Sequence, residues 1–90
     1  MIQFTKQPSE NLDYDLDFTK GLPSGDNVSS AVVTASPTGV TLGTKQVTGQ
    51  TVKQWISGGT AGATHKITCV ATSVGGRIKE MEFMLNIIDR

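Results

Sequence analysis

The stretch 55-WISGGTAGATHKITCVATSVGGRIKEMEF-83 sets a tryptophan before a glycine-rich turn, an alternating run, a second glycine turn and a further alternating run. An enzyme loop could carry such glycines, and so could two strands of a β-sandwich joined at a corner. The alternation favours the sandwich. His65, Ile67, Cys69 and Ala71 share one face of the first run, and Met81, Phe83, Leu85 and Ile87 one face of the second. That is the period-two pattern of half-buried strands. The glycines then have a backbone task. Gly58, Gly59 and Gly62 turn a corner at positive φ with close backbone approach, and 74-VGGR-77 closes a hairpin of the Gly-Gly type with Gly76 in its bend. Trp55 is the expected large plug between the sheets, with Phe83 as its partner.

Outward from this stretch the punctuation repeats. In 13-DYDLDF-18, Tyr14, Leu16 and Phe18 share a face opposite Asp13, Asp15 and Asp17. The turn residues of 21-GLPSGDN-27 precede 28-VSSAVVTA-35, and 36-SPTG-39 precedes 40-VTLGTKQV-47, a strand or strand pair bent at Gly43. After 48-TGQ-50 comes 51-TVKQWIS-57, where Val52, Gln54 and Ile56 lie opposite Trp55. Residues 1–10 read as a flexible arm or an edge segment, and 11–90 as the domain. About seven short strands between turn signals predict a single-domain, all-β, antiparallel sandwich. The challenger is a helix over 79-KEMEFMLNII-88, where Met81, Met84, Leu85 and Ile88 fit a three-four spacing. Its place after a glycine hairpin favours a strand.

The totals bound the function. Ninety residues make one domain, and a chain of this size buries roughly 60–65% of its unfolded surface. Eight basic residues balance eight acidic ones, which leaves no basic footprint for nucleic acid. Cys69 is the only cysteine, so neither an intrachain disulfide nor a cysteine zinc site is expected. No segment approaches the ~20 apolar residues of a membrane span or a signal-peptide core, so a soluble protein outside the membrane is expected.

The chemistry-bearing residues each have a structural reading. Counted from Asp13, the sixth and twelfth positions of a calcium loop hold Phe18 and Ser24, not glycine and glutamate. The aspartates read as the solvated face of a strand, where charge discourages edge-to-edge pairing. His65 and Cys69 would lie about 13 Å apart along one strand, beyond nucleophile–base reach. His65 is read as a packed or hydrogen-bonded corner residue and Cys69 as an inert buried thiol. The glycine clusters lack the lysine and the following helix of a phosphate loop, and no GxSxG elbow is present. The expectation is no catalytic residue, no cofactor and no metal.

The set 13-DYDLDFTKGLPSGDNVSSA-31, Trp55, 58-GG-59, Gly62, 67-IT-68, 76-GR-77 and Phe83 resembles a family of small proteins encoded among the head-tail and tail genes of tailed bacteriophages and prophages, the fiber-tail adaptors. The resemblance covers residues 12–90. It implies an immunoglobulin-like sandwich and a non-enzymatic virion protein, made in the host bacterial cytoplasm. Its partners would be tail, neck or fiber proteins, or further copies of itself in the assembled particle. His65 stands where the family often has a tyrosine. A histidine still donates one bond at the corner but fills less space. The competing expectation is a carbohydrate- or receptor-binding module of the same fold, which would need an exposed aromatic platform.

Overall fold

The computed structural model describes residues 2–89, so Met1 of the expected arm and Arg90 at the end of the expected domain lie outside it. Seven strands follow one another: β1 (Ile2–Lys6), β2 (Asn11–Asp17), β3 (Val28–Ser36), β4 (Val40–Thr48), β5 (Thr51–Gly58), β6 (Thr64–Ser73) and β7 (Ile78–Ile87). No helix occurs among the described residues. The segment 79–88 falls mainly in β7, because a ten-residue partner, β6, fixes it antiparallel from Thr72 opposite Ile78 to Thr64 opposite Asn86.

Two sheets pack face to face. One runs β1-β7-β6-β3, the other β2-β5-β4. With the strands lettered A to G in chain order, B-E-D faces C-F-G, the immunoglobulin arrangement. The first strand lies parallel to the last rather than beside the second: Ile2–Lys6 pairs with Phe83–Ile87. Residues 2–6 therefore form an edge strand of the larger sheet.

The core follows from period two. Tyr14 and Leu16 from β2, Val52 and Ile56 from β5, Ile67, Cys69 and Ala71 from β6, and Phe83, Leu85 and Ile87 from β7 are all buried between the sheets. Phe18 and Leu22 close one end. Asp13, Asp15 and Asp17 are exposed on the outer face of β2, an edge strand.

Three differences from the sequence reading have physical causes. Trp55 is not the plug between the sheets. Val52, Gln54 and Ile56 take the inner face of β5, which turns Trp55 outward and leaves it half-buried. Phe83 packs instead with Tyr14, ring centroids 5.4 Å apart, and edge-on to Phe4 at 5.2 Å. The β6–β7 connection is a four-residue loop, Val74–Arg77, with only Gly76 at positive φ (89°). A two-residue type I′ turn would need two such residues.

Candidate functional site

The residues singled out in the sequence do not converge. They fall at two ends of the sandwich, in its core, and on one outer face.

At one end the chain crosses between sheets at the β5–β6 corner. Gly58, Gly59 and Gly62 all have positive φ there. Gly59 is the tightest: a Cβ would stand 2.9 Å from Ile87 Cγ1. The Gly62 N–H donates to the Ile87 carbonyl at 2.8 Å and the Ile87 N–H to Ala63 at 2.9 Å, so the corner is tied to the last strand. Lys6, which the sequence reading passed over, is buried beneath it. Its ammonium donates to the carbonyls of Gly58 and Gln7. Burial pushes its pKa down, and Glu10 only partly offsets this. The available signal was period two, which puts Lys6 on the same face as Phe4.

His65 is buried at this end. Its Nδ1–H donates to the Pro37 carbonyl at 2.6 Å, and its Nε2 is buried without a hydrogen-bond partner among the described residues. The ring closes the β3–β4 connection onto β6, where a Cβ on Gly39 would meet Cε1 at 3.1 Å. Cys69 is buried two inward-facing positions further along β6, and desolvation raises its pKa. A thiol in that state is a poor nucleophile.

The other end is held by a residue that the sequence reading left in a turn. Asp26 accepts from the Gly75 N–H at 2.8 Å and from the Arg77 guanidinium at 2.9 Å. Ser73, the Gly75 N–H and Arg77 hold its carboxyl below the ordinary carboxylate range. Gln50 adds its side-chain amide to the carbonyls of Pro23 and Asp26, both at 3.0 Å. All three connections at this end are thereby fastened together. Asp26 and Arg77 belong to the GD turn and GR hairpin that carry the resemblance, and the fold makes these two motifs one ion pair.

The remaining residue, Trp55, stands on the outer face of the β2–β5–β4 sheet. Asp13 is its neighbour on β2. On β4 the register slips between Leu42 and Lys45, so Gly43 and Thr44 together oppose Trp55 in a β-bulge. A depression of about 520 Å³ opens there, lined by Asn11, Gly43, Thr44, Gln46, Trp55 and Ser57. Among the described residues no three His, Cys, Asp or Glu side chains gather in a way that could hold a metal ion.

Fold and surface together define a small sandwich domain of the immunoglobulin type, with locked ends and open faces. A family described as podophage GP4 fiber-tail adaptor protein gp77 matches residues 6–86, from the last residue of β1 to the penultimate residue of β7. The chain belongs to this family, and so to a family of phage structural adaptors. No curated protein matches the sequence.

Proposed function

We propose that the chain is a non-enzymatic virion component that joins tail or neck proteins to fiber proteins, docking through its sheet edges and loops. The observation that carries this reading is the family match over residues 6–86, which takes in β2 to β6 entire and nearly all of β7. The geometry is compatible with it. Among the described residues the strands β1, β2, β3 and β4 are each paired on one side only, so four ladders of backbone donors and acceptors face outward. Such an edge takes an added strand from a partner. The most exposed is β4, where residues 43–48 are all open to solvent. The ends are rigid platforms: Asp26 with Arg77 fixes the loops at one, and Lys6 with the glycine corner fixes the other. In the assembled particle several copies would take equivalent places.

The test is the composition of purified virions. The chain should be found in intact particles and co-purify with tail, neck or fiber proteins from disrupted ones. A chain confined to the soluble lysate and missing from particles would refute the proposal.

A further inference from the structure

The half-buried indole of Trp55 stands on a face otherwise built of hydroxyls, amides, carboxylates and the ammonium of Lys53. Its surroundings are held in place from below. The bulge at Gly43 and Thr44 frees backbone carbonyls, and buried Gln54, pointing inward from the next position, donates to Gly43 O at 3.0 Å and Trp55 O at 2.8 Å. Glycine at 43 leaves the space beside the base of the Trp55 side chain empty; a Cβ there would lie 3.6 Å from the Trp55 Cβ. Asn11, Thr44, Gln46 and Ser57 surround the indole with uncharged donors and acceptors. The depression, about 520 Å³, lies within the 300–1,000 Å³ typical of small-molecule sites.

We propose that this face is a binding site for a neutral oligosaccharide, with Trp55 as the platform on which one sugar ring stacks. A pyranose ring presents one apolar C–H face and a rim of hydroxyls, which matches one aromatic surface ringed by amides and hydroxyls. Charge narrows the class. Asp13, Asp15 and Asp17 on β2 outnumber Lys53, which pairs with Asp13 at 3.6 Å. An anionic sugar would meet carboxylates beside the ring. Neutral hexoses and N-acetylhexosamines avoid that repulsion, and Asp13 would accept from their hydroxyls. A protein partner suits this face less well. Large apolar groups that are mostly exposed lie elsewhere, Val32 and Ile78 on the outer face of the other sheet and Val74 in its hairpin.

Trp55 is the only tryptophan, so its indole N–H gives a single resonance in an amide correlation spectrum. The intact chain is titrated with maltotetraose, cellotetraose and chitotetraose, and with trigalacturonate as the anionic comparator. A neutral sugar should shift the indole resonance and the Asn11 and Gln46 side-chain amides at millimolar concentration, while trigalacturonate leaves them unmoved. Trp55→Ala should weaken binding about tenfold or more, the loss of one stacked ring. Gln46→Ala keeps the indole probe and should weaken binding several-fold. An indole resonance unmoved by all three neutral sugars at tens of millimolar overturns the proposal. So does an indole shifted by no sugar but protected by a tail or fiber protein, which would make the face a protein interface.

Discussion

Gly59, Phe83 and Trp55 make the sharpest contrasts among single residues. Gly59 combines φ of 106° with a Cβ position 2.9 Å from Ile87. Gly59→Ala should cost about 2–4 kcal/mol, backbone strain plus overpacking, measured by urea unfolding. Phe83 is buried against Tyr14 and Phe4, so Phe83→Ala should cost about 3–5 kcal/mol. Trp55→Ala should cost about 1 kcal/mol or less, because the ring lies outside the core. Equal losses at Phe83 and Trp55 would contradict the orientation of β5. Asp26 makes a prediction in pH. Its folded pKa is depressed, so its contribution is fully present above the ordinary aspartate range near 4 and is lost as pH falls through the folded value. Asp17, held low by the Thr19 hydroxyl and N–H, adds in the same direction. Thermal scans between about pH 5 and 2 should show a steep loss in the wild type. Asp26→Asn should be less stable at neutral pH and flatter across that window.

Among the elements, β5, β6 and β7 each have a strand on both sides, whereas β1 to β4 are edges. Hydrogen exchange should therefore be slowest in β5, β6 and β7 and fast along β4. Protection of β4 equal to that of β6 in the isolated chain would mean that its edge is covered. Most of this layout was legible in the sequence, because alternation and turn residues are local signals. The strands from residue 13 onward fall within a few positions of where the period predicts. What the period could not decide was which face of 51-TVKQWIS-57 turns inward. Val52 and Ile56 outweigh one tryptophan only when Gln54, lying between them, finds carbonyl acceptors inside. Those acceptors exist because of a bulge eleven residues away in sequence. Lys6 and Asp26 escaped for the same reason: their partners, Gly58 and Arg77, are about fifty residues distant. Long-range partners of buried polar groups are invisible to periodicity.

At the scale of the whole molecule, two well-fastened ends flank a body 42 Å long and about 20 Å across. Among the described residues three of the five strand pairings join distant parts of the chain and the other two are hairpins, so refolding should take milliseconds to seconds rather than microseconds, read by stopped-flow fluorescence of the single tryptophan. The pairing of the first strand with the last has a mechanical consequence. The ladder from Ile2 opposite Phe83 to Lys6 opposite Ile87 is parallel. A pull on the two ends of the chain drags β1 and β7 in opposite directions along their length. The inter-strand bonds are then loaded together in shear instead of being unzipped one at a time. A small protein strung between two larger bodies would in this way resist tension with its whole terminal ladder at once.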